Sequence, residues 1–133
     1  MSDKINFKIP GKPAYITMVR LAIGSIADTA GFDMDEIDDI KTAVGEACKE
    51  IACHGKEGTS SEYTVECVLE EGHLDIFVTD TTNRETLKDV SMKCRDCPNE
   101  GDLGMFMIRS IMNEVQVFTG PEGNKTIKMV KRK

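Results

Sequence analysis

The stretch from Asp33 to Gly55 constrains the fold of this chain more than any other. Asp33, with Glu36 three positions later, has the pattern of a helix N-cap with a capping box. The apolar residues that follow recur at intervals of three and four, the period of one helical face: Ile37, Ile40, Val44, Cys48 and Ile51. A helix with one such stripe must bury it, and we expect it to face a β-sheet.

Other segments predict that sheet and two more helices. Helical spacing appears in residues 13–31 and 103–115, and the apolar positions of the first of these helices are Ile16, Val19, Leu21, Ile23 and Ile26. Alternation of apolar and polar residues predicts strands at 5–10, 62–70, 73–80, 114–120 and 124–132. Because the helices are not interleaved with each strand, the order favours an α+β fold. We expect a two-layer sandwich in which a mainly antiparallel mixed sheet carries its helices on one face.

The whole chain, residues 1–133, is predicted to form a single domain. One long polar segment, at about residues 81–102, lacks periodicity. Long loops of this kind in compact domains are often functional, so we predict that it forms a lid over a binding site.

Charge and composition exclude several classes of function. The formal net charge is −6, and only residues 125–133 are locally basic, which argues against direct nucleic-acid binding. The chain has no apolar run of membrane-spanning length and does not open with a secretory signal, so a cytoplasmic location is expected. The five cysteines are an odd number, and free thiols are therefore expected rather than a disulfide framework.

A second line of positions on the helix after Asp33 carries polar residues. Asp39, Ala43, Glu46, Glu50 and Cys53 are spaced four, three, four and three apart. This line is consistent with a solvated face whose acids are offset by neighbouring lysines, with a metal site, or with one wall of a nucleotide pocket. Periodicity leaves all three open.

The neighbours of these residues carry a resemblance to a known family. The sequence "DDIKTAVGEACKEIACHG" closely resembles the N-box helix of the Bergerat-fold (GHKL) ATPases, in the version carried by bacterial anti-sigma factor serine kinases. That pattern runs E-A-x-x-N-x-x-x-H, and Glu46, Ala47 and His54 match it. "LDIFVTD" and "EGDLGMFMIRSIMNEVQV" resemble two further family segments in the same order, and the likeness covers nearly the whole chain. The segment from Gly104 to Val117 is its most specific part.

The resemblance implies a Bergerat ATP-binding fold that uses ATP and Mg²⁺. It assigns adenine recognition to Asp80, contact with the phosphates to backbone amides at Gly101 and Gly104, and the role of general base to Glu46. Further members of the implied nucleotide-binding set are Glu50, which is also the metal ligand, Leu103, Met105 and Thr126. From spacing alone, Met105 belongs to a stripe of apolar residues more typical of core packing.

Two departures from the family pattern bear on activity. Glu50 stands where the family has asparagine, and its carboxylate offers oxygen to a hard cation but adds a negative charge beside a triphosphate. After Asp80 the chain reads "DTTNRE", where the family usually has glycine. There Thr82 and Arg84 either crowd the pocket or, in the case of Arg84, contact a phosphate.

By resemblance, the chain is expected to be an anti-sigma regulatory factor that forms a homodimer. It would sequester a sigma factor and phosphorylate a serine of a STAS-type anti-sigma antagonist. One alternative is a non-catalytic partner-binding module on a degenerate fold, which would make the chain no enzyme. Another is a thiol- or metal-responsive regulator using Cys94 and Cys97, which form one half of a zinc pattern.

Overall fold

The computed structural model describes residues 2–52, 62–81, 101–120 and 124–133, and in these ranges five strands and three α-helices are present. In chain order the elements are β1 (Asp3–Pro10), α1 (Ile16–Thr29), α2 (Met34–Ala52), β2 (Glu62–Glu70), β3 (His73–Asp80), α3 (Gly101–Ile111), β4 (Glu114–Thr119) and β5 (Lys125–Arg132). A 3-10 turn at Pro13–Tyr15 leads into α1. Every helix and strand predicted from periodicity is therefore present, with boundaries that differ by a few residues.

The five strands form one sheet in the order β1-β2-β3-β5-β4. All four pairings between these described strands are antiparallel, and none is parallel. The predicted α+β sandwich is confirmed, while the predicted admixture of parallel pairing is not seen among the described strands. β1 and β4 are the sheet edges, and β3 and β5 lie next to each other near its centre.

The two faces of the sheet differ in character. Along β2 and β3 every second side chain is buried, as expected for strands with one covered face. The buried set consists of Tyr63, Val65, Cys67, Leu69, Leu74, Ile76, Val78 and Asp80. The opposite face is polar: Lys128 lies over the ring of Phe77 at 5.6 Å from its centroid, and His73 pairs with Asp75. All three helices therefore cover one face, and the fold has two layers.

α1 ends in a Schellman motif at Gly31, the last residue of its predicted range. The Gly31 N–H donates to the Asp28 carbonyl at 3.0 Å, and the Phe32 N–H donates to the Ala27 carbonyl at 3.2 Å. Gly31 has φ of +93°, a conformation that a residue with a Cβ rarely adopts. Leu21 was expected in the apolar stripe of this helix, but it is 65% exposed, because a step of two or five residues from its neighbours turns it away from the core.

α2 is capped as predicted. The Glu36 N–H donates to Asp33 Oδ1 at 2.8 Å, and the Asp33 N–H donates to Glu36 Oε1 at 3.0 Å, which is a complete capping box. The predicted stripe is buried at Ile40, Val44, Cys48 and Ile51, and α2 packs on β2, β3 and β5. None of the described helices combines the length and the apolarity that crossing a membrane requires.

Two cysteines lie inside this core as free thiols, Cys48 on α2 and Cys67 on β2. Burial raises the pKa of each from 9.0 to about 12. A hydrogen bond from Tyr63 opposes this for Cys48, and the Glu66 carboxylate adds to it for Cys67. Both thiols are therefore neutral in the folded protein at physiological pH and make poor nucleophiles. Cys53, Cys94 and Cys97 lie outside the described residues.

The raised pKa values of these two thiols predict a loss of stability in alkaline solution. Above about pH 9 the unfolded chain releases thiol protons that the folded chain retains, so the free energy of unfolding decreases as pH rises towards 12. The limiting slope is about 1.4 kcal/mol per pH unit for each thiol. Urea unfolding between pH 8 and pH 10.5 measures the free energy of unfolding. This free energy should decrease less steeply with pH in Cys67→Val than in the unchanged chain. Parallel curves for the two proteins would contradict the prediction.

Candidate functional site

The first turn of α3 lies against two carboxylates of α2. A Cβ placed on Gly104 would sit 3.1 Å from Glu46 Oε2 and 3.3 Å from Glu50 Oε1. Two acidic side chains from consecutive turns of α2 thus converge on one point above the α3 backbone. Gly104 permits this approach, because a Cβ there would lie closer to both carboxylate oxygens than side-chain carbons normally do.

Burial excludes the solvated-face interpretation for Glu50, at the end of the described part of this line. Glu50 is only 5% exposed, and Ala43 is fully buried. The side chain of Glu46 is 24% exposed, and its Oε1 pairs with Lys49 Nζ at 3.5 Å. Asp39, two turns earlier, is exposed. The polar line predicted on α2 is therefore solvated at its start and enclosed where α3 crosses it.

The start of α3 provides an electrostatic reason why the acids are tolerated there. The helix begins at Gly101, and the first four amides of an α-helix have no acceptor within the helix. Its dipole places partial positive charge at that end, which favours nearby carboxylates and also phosphate groups. The same helix end can therefore interact favourably with Glu46 and Glu50 and with an anionic ligand.

Asp80 occupies the last position of β3 and is 1% exposed. Its strand end is held from both sides: the Thr81 N–H donates to the Glu62 carbonyl at 3.0 Å, and Asn124 Nδ2 donates to the Asp80 carbonyl at 3.1 Å. An aspartate in a solvated turn would be exposed, whereas Asp80 is enclosed. The carboxylate of Asp80 lies on the helix-bearing face of the sheet.

Asp80 is connected to α2 through Tyr63. In the β2–β3 register Tyr63 lies directly opposite Asp80, and its fully buried side chain is close enough to Cys48 to lower the pKa of that thiol. Cys48 lies on α2 between Glu46 and Glu50. The end of β3 and the acidic part of α2 therefore belong to one packed unit, although their residues are 30 or more positions apart in sequence.

Thr126 does not join this unit. It is paired with Thr79 in the β3–β5 register, and its Oγ1 donates to Thr79 Oγ1 at 3.2 Å. Because side chains alternate along a strand, both hydroxyls lie on the polar face, opposite to the buried side chain of Asp80. The assignment of Thr126 to the nucleotide-binding set stays a prediction, with its hydroxyl paired to Thr79 on the polar face.

The apolar residues of α3 divide between core and surface. Ile108 and Met112 are buried, and Met105 is partly buried and packs against the core, as spacing predicted. Leu103 is 53% exposed, at the end of the helix that faces the carboxylates of α2. The structure therefore brings together Glu46, Glu50 and Gly104, while Leu103 is exposed and Met105 is partly buried against the core.

Sequence reasoning missed two residues beside Asp80. Asn124 braces the strand end, and no local pattern could have revealed this because its partner is 44 positions away. Lys125 precedes Thr126 on β5, so alternation places it on the helix-bearing face next to Asp80. The lid predicted at 81–102, apart from its ends, and the residues His54, Thr82 and Arg84 lie outside the described ranges.

No group of three or more His, Cys, Asp or Glu side chains that could hold a metal is present in the described part of the chain. Mg²⁺ seldom needs such a group, because it is commonly held by one or two carboxylates together with substrate phosphates. The pair formed by Glu46 and Glu50 supplies hard oxygen atoms at one end of a helix. These residues fit Mg²⁺ as a companion of a phosphate ligand.

Comparison with known proteins identifies the family. Residues 9–131 match the sequence profile of the histidine kinase-like ATPase domain. The serine-protein kinase RsbW of Bacillus mycoides is 33% identical over 124 residues, covering 86% of this chain and 77% of the relative. The protein of the same name from Bacillus pumilus is 33% identical over 126 residues, covering 86% and 78%. The chain therefore belongs to the histidine kinase-like ATPase family, among the anti-sigma factor serine kinases of the RsbW type.

Solved structures agree with this fold. The RsbU and RsbW domains of Rv1364c from Mycobacterium tuberculosis align with 98% of this chain at a TM-score of 0.68 and 17% identity; the alignment spans 32% of that longer chain. A chain of the SiaB–SiaC complex from Pseudomonas aeruginosa aligns with 96% of this chain and 88% of its own length, at a TM-score of 0.59 and 14% identity. At these identities the likeness concerns the fold alone.

The close approach at Gly104 predicts that alanine is poorly tolerated there. Overpacking against Glu46 and the buried Glu50 should lower the free energy of unfolding by about 1–3 kcal/mol. This loss exceeds the gain of up to about 1 kcal/mol that alanine brings in helix propensity. Gly24→Ala is the matched control, because its Cβ would meet the flexible side chain of Lys41 at the same 3.1 Å. Urea unfolding should show Gly104→Ala destabilised and Gly24→Ala unchanged or stabilised. Equal effects of the two substitutions would contradict this account.

Proposed function

We propose that this protein is an ATP-binding anti-sigma regulatory factor. It would sequester a sigma factor and phosphorylate a serine on a STAS-type anti-sigma antagonist. Family membership and the names of its relatives as serine-protein kinases support this function. The observation that carries the proposal is the convergence of Glu46 and Glu50 on Gly104 at the start of α3. This arrangement provides carboxylate oxygens and helix-end amides within one small volume.

Each residue of the site has a role suited to its chemistry. Asp80, an acceptor at the end of a buried strand, would accept a hydrogen bond from the adenine amino group. Amides at Gly101 and Gly104 would contact phosphate oxygens. Glu50 would ligate Mg²⁺, which supplies charge neutralisation on the phosphates when bound. Glu46, the more exposed of the two acids, would orient or deprotonate the serine hydroxyl of the partner.

The exposed side of α1 is a suitable surface for a partner. Tyr15, Met18 and Leu21 are spaced three apart and exposed, so they form an apolar row along α1. Arg20 lies across Gly45 of α2, 3.1 Å from the position a Cβ would take there. Gly45 adjoins Glu46 in sequence. α1 therefore packs beside the segment of α2 that precedes the proposed general base, and its exposed row is the surface we propose for the sigma factor or the antagonist.

The adenine role of Asp80 predicts a specific loss of ATP binding on substitution. Asp80→Asn replaces a charged acceptor and should weaken binding of ATP with Mg²⁺ by at least about tenfold, since hydrogen bonds to charged groups contribute about 1.5–3 kcal/mol. Asp75→Asn, on the polar face of the same strand, should leave the affinity unchanged. Isothermal titration calorimetry measures both.

The same titration tests the rival function. A folded, unchanged chain that binds no ATP would be a partner-binding module that has kept the fold and lost the ligand, and the kinase proposal would be rejected. Equal weakening in Asp80→Asn and Asp75→Asn would instead remove Asp80 from the adenine site.

A role for Glu46 as general base predicts a loss of phosphate transfer without a loss of nucleotide. Glu46→Gln should lower transfer from ATP to a STAS-type antagonist by about 10²- to 10⁴-fold, the range typical of general-base removal, while ATP affinity changes little. Asp39→Asn, on the solvated part of the same helix line, is the control. Transfer measured with radiolabelled ATP, beside an antagonist whose serine is replaced by alanine, gives the comparison. Retention of full activity in Glu46→Gln would exclude this role.

Several further features belong to the same proposal. We infer that residues 1–133 act as one ATPase domain, that the protein functions as a homodimer, and that it works in the cytoplasm. The family match over residues 9–131 supports the first of these. Size-exclusion chromatography with light scattering tests the second.

A further inference from the structure

The side chain of Asn124 is held in one orientation beside Asp80. Its Nδ2 donates to the Asp80 carbonyl oxygen at 3.1 Å. Exchanging the two ends of the amide would place two oxygens at that distance with no proton between them, so the nitrogen is the end that faces Asp80. The backbone is fixed as well, because the Gly120 N–H donates to the Asn124 carbonyl oxygen at 2.7 Å. Asn124 is therefore a firmly positioned neighbour of the proposed adenine-binding residue.

The other end of this amide, Oδ1, is a buried acceptor. It has no hydrogen-bond donor within reach among the residues that the structure describes. Buried carbonyl groups are nearly always hydrogen-bonded, because an unpaired one has lost its contact with water without compensation. Oδ1 therefore has acceptor capacity available for a donor that a ligand brings.

Asp80 and Asn124 place two acceptors near the same strand end. Asp80 is 1% exposed, and its carboxylate is the acceptor proposed for the adenine amino group. Because Nδ2 and Oδ1 belong to one planar amide, Oδ1 also lies near the backbone of Asp80. The amino group of adenine carries two N–H bonds, whereas the corresponding group of guanine is a carbonyl with none. Two acceptors match the amino group and oppose the carbonyl.

We propose that Asn124 is a specificity-determining residue that reads the base together with Asp80. Its Oδ1 accepts one N–H of the adenine amino group, and the Asp80 carboxylate accepts the other. This inference rests on the proposed ATP-binding function. A purine with an oxo group at this position would turn an acceptor towards both side chains and leave them unpaired. Sites built to bind an N–H reject such analogues for this reason.

Calorimetric titration of the full chain with ATP and with ITP, each in excess Mg²⁺, tests this role. ITP has an oxo group where ATP has the amino group, and the measured quantity is the ratio of the Kd for ITP to the Kd for ATP. Asn124→Ala should lower this ratio by about tenfold or more, because the unpaired acceptor that penalises ITP is gone. Asn124→Asp keeps an acceptor but loses the donor to the Asp80 carbonyl, so it should retain most of the ratio.

Asn113→Ala is the matched control. Asn113 Oδ1 accepts from the Arg132 N–H at 2.7 Å, at the opposite end of β5, so this variant also loses one hydrogen bond between a side chain and the backbone. It should leave the ratio unchanged. Asn124→Ser, which has no oxygen at the position of Oδ1, repeats the test if urea unfolding shows that Asn124→Ala does not fold.

The outcomes separate the inference from the proposed function. If the unchanged protein prefers ATP and the ratio is the same in Asn124→Ala and Asn124→Ser, the base-reading role is overturned and the ATP-binding function stands. An equal fall in Asn124→Ala and Asn124→Asp would also overturn it, because Asn124 would then only brace the strand end. Equal binding of ATP and ITP by the unchanged protein would reject reading of the amino group. If the unchanged protein binds neither nucleotide, both proposals are rejected.

Discussion

The burial of α2 on the sheet is the interaction on which the rest of this structure depends. Its stripe of Ile40, Val44, Cys48 and Ile51 is fully buried above β2, β3 and β5, and both α1 and α3 pack against the same helix. Burial of such side chains contributes about 1.5–3 kcal/mol each, so α2 has little freedom to rotate or slide. Because the next helical face carries Glu46 and Glu50, their positions relative to the end of β3 are determined by this packing.

Enclosing two acids beside each other is costly unless their surroundings compensate. Here the compensation comes from backbone rather than from paired side chains alone: α3 presents its positive end, and Gly104 lets it approach within contact distance of both carboxylates. Natural proteins accept such local costs mostly at functional sites. The acidic pair, the glycine and the helix end are therefore best understood as one arrangement.

Local periodicity predicted the elements well because each has a clear physical signal. These signals act within a few residues of chain. They are the capping box at Asp33, the alternation of β2 and β3, and the glycine at the end of α1, Gly31. Predictions of which face of a helix or strand a side chain occupies were less accurate. Leu21 has nearly helical spacing but is exposed, because the orientation of a side chain depends on which elements cover it.

What the sequence by itself determined is the set of elements, their order, and the two-layer class, since these follow from propensity, capping and hydrophobic period. It also indicated candidate site residues, because Glu46, Glu50 and Asp80 stand in segments that resemble those of a known family. Only the tertiary structure decided that Glu50 is enclosed rather than solvated, that Asn124 braces Asp80 from 44 positions away, and that Gly104 meets both acids. The physical reason is that burial and electrostatic environment depend on contacts between distant segments, and no pattern within one segment records which neighbour will cover it.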